Sequence, residues 1–375
     1  MSTRTPERPA VREHGRWSLS WHGVSTVMRL ELRQRVRSTR WYVGLAVFFA
    51  VVGLVTVLTT LTVGSEAALG DVFAGRLIFD VVVFFVLLLG LLVAPTLSSS
   101  SVNGDSKAGV LAILQVTLLT PAEIAVGKLL ASWLSALAFL AVSLPFLAWG
   151  VVKGSLSLGA VLVTIVLLAF VLAVVVALGL GFSSLVPRTS SSAVLTYLGV
   201  ASLSVISAIV FGLSLALTVD EEPVRVWGVP AEAGMTGDWG SGQEPRCSWF
   251  ESLERVPHTE RTWWLLAVNP FVVVADAMPD DAQREDPWYD EPAGIMSLIR
   301  YGVREARMGP ALEVNRCWWD PTPESSPVPP RDADRSPVWP WGIAVHTLLG
   351  AGALALTVRR LSIPVERLPR GVRVA

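Results

Sequence analysis

Charged residues are scarce in this sequence: they make up 16% of the 375 residues, against about a quarter in soluble domains. Histidine occurs four times, at positions far apart, and lysine only three times. No G-x-x-x-x-G-K-[ST] phosphate-binding loop is present, because Gly127-Lys128 is followed by Leu129. Together with a hydrophobic content of 52%, these absences exclude a soluble enzyme and an ATP site of that kind.

Long apolar runs are what the sequence does contain. A bilayer core of roughly 30 Å requires about 20 apolar residues in a helix. A cleaved signal peptide is not expected, since about 40 residues precede the first run. The sixth run has Trp339 and Trp341 at one end and Arg359 and Arg360 at the other, as interfacial anchors do. The six runs are 41–63, 78–97, 129–149, 158–186, 193–218 and 338–358.

The charges that do occur are separated along the chain. Residues 1–41 contain nine arginines and three acids, residues 359–375 five arginines and one acid, and residues 220–338 22 acids and 11 arginines. Because basic ends stay in the cytoplasm, both termini are expected there, with an even number of spans. The preference for arginine over lysine suits a GC-rich bacterial genome. We therefore expect a multi-pass protein of a bacterial plasma membrane.

The predicted fold class is an all-α polytopic membrane protein with six transmembrane helices, an amphipathic N-terminal elbow helix and a large extracytoplasmic insertion between helices five and six. The predicted divisions are a cytoplasmic tail (1–22), the elbow helix (23–40), spans one to five (41–218) with a cytoplasmic loop (98–128), the extracytoplasmic domain (219–337), span six (338–358) and a second cytoplasmic tail (359–375).

The broken apolar stretch 263–278 threatens the count of six. It is 16 residues long, and Asn269-Pro270 interrupts it near the middle. A seventh span would place the C-terminal arginines outside, against the positive-inside rule. We interpret the stretch as a re-entrant or surface-lying helix.

Residues 23–40 show helical amphipathicity. An apolar stripe of Val24, Met28, Leu32 and Val36 recurs every four residues. Glu31 can pair with Arg35 one turn later. A basic helix of this kind lies in the membrane interface, in contact with lipid. The pattern fits a helix that only anchors the chain to the membrane, and it fits equally one that also contacts a cytoplasmic partner. The opposite side carries Arg29, Arg33 and Arg37.

The loop 98–128 contains a possible short apolar helix at 109–119, followed by Thr120-Pro121. Pro121 suits the first turn of a helix, with Thr120 as its N-cap and Glu123 favourable near that N-terminus. A simple helical hairpin between two spans would explain this pattern. The loop has a more specific pattern than a hairpin requires. Its residues include, in this order, Asp105, Gly109, Leu111, Leu114, Leu119, Thr120, Pro121, Glu123, Ile124, Gly127 and Lys128.

With these residues, the sequence resembles the type-2 class of ATP-binding cassette (ABC) exporter permeases. Val110 replaces the threonine usual in that class, and Lys107 stands where a second acid is usual. Asn269-Pro270-Phe271, before the last span, resembles a further feature of the class. The motif itself occupies about 25 residues, and the likeness in topology extends over most of 23–360.

The resemblance implies a non-catalytic permease subunit of an exporter, coupled to a separate ABC ATPase that binds ATP and Mg²⁺. A second permease copy or a paralogue would complete the pathway, with membrane lipid around it and no nucleic acid as partner. The chain itself would bind no cofactor or metal. The expected ATPase-coupling residues are Asp105, Lys107, Gly109, Leu111, Thr120, Pro121, Glu123, Gly127 and Lys128. A non-transporting sensor or assembly protein, or a membrane-embedded lipid-modifying enzyme, are the alternatives.

The insertion is rich in tryptophan, which argues against pure disorder, although 220–246 and 320–337 could be flexible. Residues 295–308 could form a short helix. The only cysteines, Cys247 and Cys317, lie here, and a disulfide can persist outside the cytoplasm. Closing a loop of about 70 residues would stabilise the domain by roughly 4 kcal/mol. Two buried free thiols are the alternative.

Few polar residues lie within the spans. Arg76 and Asp80, one helical turn apart, are expected to form a local ion pair. His346 stands alone in span six, either as a functional residue or as a neutral group bonded to a neighbouring helix. Pro145 is expected to kink span three.

Overall fold

The computed structural model describes residues 17–64, 71–107, 119–230, 247–279, 294–317, 327–328 and 337–362, with the backbone alone at 64, 71, 72 and 107. Within these ranges the helices are α1 (Trp21–Val36), α2 (Thr39–Gly64), α3 (Asp71–Ser98), α4 (Asn103–Lys107), α5 (Pro121–Gly154), α6 (Leu158–Leu185), α7 (Thr189–Ala201), α8 (Ser207–Leu215), α9 (Trp264–Ala267), α10 (Pro270–Ala277), α11 (Ile295–Met308) and α12 (Trp339–Leu361). A π-helical turn (Ser202–Ile206) joins α7 to α8.

Six membrane-spanning helices are confirmed. They are α2, α3, α5, α6, the continuous α7–α8 and α12, each long and apolar enough to cross a bilayer. Several begin or end outside the predicted bounds: α3 starts at Asp71 rather than 78, and α5 at Pro121 rather than 129. At 34 residues, α5 is roughly 50 Å long, about 20 Å more than the bilayer core. The polar first turns of α5 therefore extend beyond the apolar layer.

The core of the bundle is formed by α3, α5, α6 and α12, in which the most extensive contacts are those of α3 with α5 and of α6 with α12. Gly75 of α3 and Gly154 of α5 allow the closest approach, since a Cβ on Gly75 would lie 2.1 Å from the Gly154 nitrogen. Gly150 meets the backbone of Phe79 in the same way. Small residues permit such contacts between membrane helices, where dispersion rather than water exclusion drives association. α5 continues as one helix past Pro145.

Two spans are held more loosely than this core. Only 17% of the most apolar window of α2, and 11% of that of α7–α8, is buried within the chain, against 56% for the second span, which contains α3. Their exposed side chains are large and apolar, for example Phe49 in α2 and Leu213 in α8. These two surfaces are available to lipid or to another membrane protein.

The insertion contains a three-stranded sheet of order β2-β1-β3 that the sequence analysis did not predict. Its strands are β1 (Val219–Gly228), β2 (Ser248–Pro257) and β3 (Glu313–Asn315). β1 pairs with β2 antiparallel over its whole length and with β3 in parallel at Arg225 to Trp227. The expectation of flexibility is therefore wrong for 220–228, while 231–246 lie outside the described residues.

Proline is accommodated in β1 because of the ladder geometry. The His258 N–H donates to the Thr218 carbonyl, whereas the Arg225 N–H donates to Leu312 on the β3 side. The backbone groups of even-numbered residues of β1 thus hydrogen-bond to β2, and those of odd-numbered residues point to the β3 side. Pro223 falls where β3 is absent, so its missing donor costs no described ladder bond. Cys247 and Cys317 form a disulfide, with Cα atoms 5.9 Å apart, that links the start of β2 to the segment after β3.

The broken stretch 263–278 forms two short helices, α9 and α10, with Asn269 as the N-cap of α10. It is not surface-lying with respect to the bundle, because Val273 and Val274 are fully buried and α10 packs on α6, α11 and α12. α11 has the predicted bounds of 295–308. The stretch is too short and too broken to form a seventh span.

Buried polar contacts join the insertion to the spans. Asp276 binds Arg304 of α11 and also accepts hydrogen bonds from the Val338 and Trp339 nitrogens, which begin α12. Asp80 of α3 accepts from the Ser297 nitrogen at 2.9 Å and from its hydroxyl at 2.7 Å. The expected local pair of Asp80 with Arg76 is wrong, because α11 supplies donors at the site that Asp80 faces. α11 therefore links two spans that are distant in sequence.

A glycine substitution tests the closeness of α3 and α5. Gly75→Ala places a methyl group against the backbone of Gly154, so the helices must separate. We expect a lower thermal unfolding midpoint in detergent, measured by fluorescence-detected size exclusion. Gly212→Ala is the matched control, since nothing lies within 4 Å of its Cβ position. Equal midpoints for the two variants would contradict the packing described.

Candidate functional site

The most buried charge in the described residues lies where α1, α4 and α5 meet. Lys128 of α5 has no exposed surface, and its ammonium group binds the Glu31 carboxylate of α1 and the Asp105 carboxylate of α4. It also donates to the Ser101 carbonyl at 3.0 Å. Three donors on one ammonium are thus matched by three acceptors from two other parts of the chain. We call these three charged residues the lysine junction.

α1 reaches the lysine junction because it packs along α5. Gly127 permits this contact, since a Cβ there would lie 2.7 Å from the Val27 Cβ. The contacts run in the same direction along both segments: Ser20, just before α1, bonds to Glu123, Glu31 to Lys128, and Arg35 to Ser132 at 2.8 Å. The helix predicted at 23–40 therefore runs alongside the first turns of α5. Val24 and Val27 are buried on this side, whereas Val36 in the last turn is exposed.

Arg35 ties the end of α1 to the end of α3. Its guanidinium donates to the Leu97 carbonyl at 2.7 Å, in the last turn of α3. Cations favour helix C-termini, where carbonyls lack partners within the helix. Burial lowers the pKa of Arg35, and the nearby Glu31 carboxylate opposes that shift. Glu31 acts on Arg35 through this charge interaction, while its direct ion pair is with Lys128 and Arg35 donates to α3 and α5.

The start of α5 is a capping box extended to the N-terminal segment. The Thr120 hydroxyl accepts from the Glu123 nitrogen, and the Glu123 carboxylate accepts from the Thr120 nitrogen at 2.9 Å. This confirms the predicted N-cap and the place of Pro121 in the first turn. Glu123 also accepts from the Ser20 nitrogen, and Thr120 donates to the Ser18 carbonyl. The cap thus fixes the position of the chain just before α1.

The turn after α3 is held by the last turn of α6 and the first turn of α7. The Ser183 hydroxyl accepts from the Val102 and Asn103 nitrogens at 3.0 and 3.2 Å. The Ser192 hydroxyl donates to the Ser99 carbonyl at 2.7 Å. The last turns of α3 and α6 therefore meet the first turns of α5 and α7 at one end of the bundle. α1 and α4 lie at the same end.

The face of α1 opposite α5 is basic and exposed. Arg29, Arg33 and Arg37 are exposed on this face, together with Leu30 and Gln34. Within the part of the chain that the structure describes, no carboxylate pairs with these three arginines. A basic surface without internal partners suits an acidic partner surface or anionic headgroups. We call Arg29, Arg33 and Arg37 the arginine face.

The structure brings together most, but not all, of the residues that the sequence singled out. Asp105, Thr120, Glu123, Gly127 and Lys128 all lie at the contact of α4 and α5 with α1 and its preceding segment. Lys107 ends α4, with only its backbone described. Gly109, Leu111 and Leu114 lie outside the described residues, as does most of the short helix expected at 109–119.

Glu31 and Arg35 were missed as long-range partners. A signal was present, since both fall on the apolar side of α1, where charged side chains need buried partners. The partner of Glu31 is 97 residues away, beyond the reach of helical periodicity. In span six, His346 is buried and its Nδ1 lies 2.9 Å from Gly342 of its own helix. Among the described residues, no group of His, Cys, Asp and Glu could hold a metal ion.

The chain is a polytopic membrane protein with six spans. One helix packs along the first turns of the third span, and the lysine junction lies at that end of the bundle. The protein-family model described as "ABC-2 family transporter protein" matches residues 25–278, which cover α1, five spans and the α9–α10 stretch. The chain belongs to the ABC-2 transporter family, whose members are typically the non-catalytic membrane components of ABC transporters. A search of curated proteins found no match.

Removing the charge of Lys128 tests the lysine junction. Lys128→Met leaves two carboxylates facing each other without a cation, and breaking a buried ion pair costs about 3–5 kcal/mol. We expect a clear loss of thermal stability in detergent. Lys153→Met is the matched control, because Lys153 is exposed. A Lys128→Met protein as stable as this control would show that the junction carries no stabilising charge interaction.

Proposed function

We propose that this chain is the membrane-spanning permease subunit of an ATP-driven ABC exporter. A separate ATPase subunit would bind ATP and Mg²⁺ and supply the energy, while this chain supplies the pathway for the substrate. The observation that carries the proposal is the lysine junction within a member of the ABC-2 family. It fixes α1 and α4 to α5 at the bundle end that bears the coupling-loop motif.

The orientation of the chain supports an ATPase at that end. The first residues and the last residues are rich in arginine, and the positive-inside rule assigns them to the cytoplasm. α1 lies within the first of these segments and the end of α12 lies within the last, so α1 and the lysine junction would face the cytoplasm of a bacterial cell. The acidic insertion, with its disulfide, would lie outside the plasma membrane.

The arginine face supplies a surface of defined charge for the ATPase. Arg29, Arg33 and Arg37 follow one another at four-residue intervals on the side of α1 that α5 leaves uncovered. Charge complementarity increases association rates and selects partners. We infer that acidic side chains of the ATPase contact this face.

The lysine junction also explains how movement would reach the spans. This ion pair resists separation, since the buried Lys128 ammonium would be left without a carboxylate partner. A displacement of α1 or α4 by the ATPase would therefore be transmitted to Lys128, in the second turn of the 34-residue α5. α5 packs on α3 and α6, so the core of the bundle would follow.

A second permease copy, or a paralogue, would complete the pathway. α2 and α7–α8 bury little of their surface within the chain, so they are free to contact another subunit. Membrane lipid would cover the apolar surface that remains.

Affinity purification from native membranes, with partners identified by mass spectrometry, tests this proposal. We expect an ABC ATPase to be recovered with the tagged chain. Reversing the arginine face with Arg29→Glu, Arg33→Glu and Arg37→Glu should reduce its recovery by about tenfold or more, because like charges at an interface cost several kcal/mol. Arg255→Glu is the surface-charge control, since Arg255 is exposed in the insertion.

The absence of any ATPase, under conditions that preserve a known ABC complex, would contradict the proposal. Such a result would favour a sensor or assembly protein, or a membrane-embedded lipid-modifying enzyme. If the variant with the reversed arginine face recovers as much ATPase as the parent, the exporter proposal stands. The arginine face of α1 is then not a contact for the ATPase.

Thiol labelling of intact cells tests the orientation. Cys247 and Cys317 are the only cysteines in the sequence, so reduction with a membrane-impermeant reagent should allow an impermeant maleimide to label them from outside. A variant that lacks both and carries Arg33→Cys should be labelled only after the cells are opened. Labelling of Arg33→Cys in intact cells would place α1 outside and overturn the orientation.

A further inference from the structure

Span five changes its helical register near its middle. Over Ser202–Ile206 the helix is of the π type, and the Ser207 nitrogen donates to Ser202, five residues earlier. A π turn holds one residue more than the α-helical turn it replaces, and such turns often occur at functional positions. The register of α8 relative to α7 is therefore set at this turn.

The two halves of span five have different neighbours. α7 packs on α3 and α6, in the core of the bundle, whereas α8 packs on α9 of the insertion. Within α8, Ser207 is buried and its neighbours Ile209, Val210 and Leu213 are exposed. The half that follows the π turn is thus held mainly near its start.

Asn269 makes the polar contact at that start. Its side-chain nitrogen donates to the Ser204 carbonyl at 2.7 Å, inside the π turn, and to the Ser207 hydroxyl at 3.2 Å. Its side-chain oxygen accepts from the Phe271 nitrogen at 2.9 Å and so caps α10. Asn269 is buried, with 4% of its surface exposed. One amide group therefore joins the break between α9 and α10 to the π turn.

We propose that Asn269 is a positioning residue that holds span five in its π-turn register, and that its release lets α8 rotate as the pathway opens. Relaxation of the π turn to an α-helix rotates α8 by one residue, about 100°, relative to α7. The Ser204 carbonyl would then turn away from the Asn269 donor. An unpaired buried amide is costly, so the intact contact stabilises the π register.

The inference rests on the proposed function only for the moment of release, since the contact itself is a property of this chain. Asn269→Asp separates the two roles of the side chain. Aspartate caps a helix as well as asparagine does, so α10 keeps its cap. It offers no amide donor to the Ser204 carbonyl, so the contact with the π turn is lost.

Spin-label distance measurements on the full chain in lipid vesicles test the proposal. Labels at Leu213→Cys and Leu158→Cys, on exposed positions of α8 and α6, report the rotation. The native cysteines are joined in a disulfide and take no label. An excess of unlabelled chain suppresses distances between copies. Asn269→Asp should shift or broaden the distribution by up to about 8 Å, the displacement that one residue of rotation gives at a helix surface.

Asn103→Asp is the matched control. The Asn103 amide donates to the Val186 carbonyl at 3.2 Å, at the opposite end of the bundle, so its loss should leave the distance between α8 and α6 unchanged. An Asn269→Asp distribution that coincides with those of the parent and of this control would overturn the assignment of Asn269.

The release step has its own readout. Adding ATP to the chain reconstituted with its co-purified ATPase should move the parent distribution toward that of Asn269→Asp. If the parent stays unchanged while Asn269→Asp shifts, the contact holds the register but does not gate, and the second half of the proposal is wrong. Failure to recover an ATPase would count against the proposed exporter, whereas the variant distances without nucleotide would still decide the role of Asn269.

Discussion

An ammonium group without exposed surface requires opposite charge close to it, and this requirement governs the end of the bundle that carries the coupling-loop motif. Lys128 meets it with Glu31 and Asp105, which belong to α1 and α4. Neither helix can leave α5 without depriving the buried Lys128 ammonium of a carboxylate partner, so the contact holds the three together. The other contacts here, the capping box at Thr120 and the bonds of Arg35, reinforce this arrangement.

The opposite end of the bundle is held by a different set of polar contacts. Asp276 joins α10, α11 and the start of α12, and Asp80 joins α3 to α11. The insertion is thus built onto the spans rather than appended to them. Between the two ends, glycines at the contact of α3 with α5 keep the core closely packed. α2 and α7–α8 bury much less of their surface within the chain than the second span does.

How much of this could be predicted depends on the range of the interactions concerned. The six spans follow from hydropathy, because each satisfies its backbone hydrogen bonds within one continuous segment. The cap of α5 was equally accessible, since Thr120 and Glu123 are three residues apart. The lysine junction was not, because its partners are 97 and 23 residues from Lys128, and neither periodicity nor spacing relates them. Asp80 shows the same limit, since its donor Ser297 lies 217 residues away.

The sheet of the insertion was missed for a related reason. β1 contains Asp220, Glu221, Glu222 and Pro223 in succession, a composition typical of a loop, and only its pairing with β2 makes it a strand. What covers the buried side of α1 was also not predicted. The periodicity of Val24 and Val27 predicts a buried face correctly, but it does not distinguish lipid from the surface of α5 as the cover.

The central claim is that Lys128 and Asp105 act as one unit in connecting this chain to an ATPase. A double-mutant cycle measures this directly, with Lys128→Met, Asp105→Asn and the combined variant compared for the amount of ATPase retained on purification. The claim predicts strong non-additivity, with the combined variant retaining about as much ATPase as Lys128→Met alone. Losses that simply multiply would show that the two residues act independently, and would contradict it.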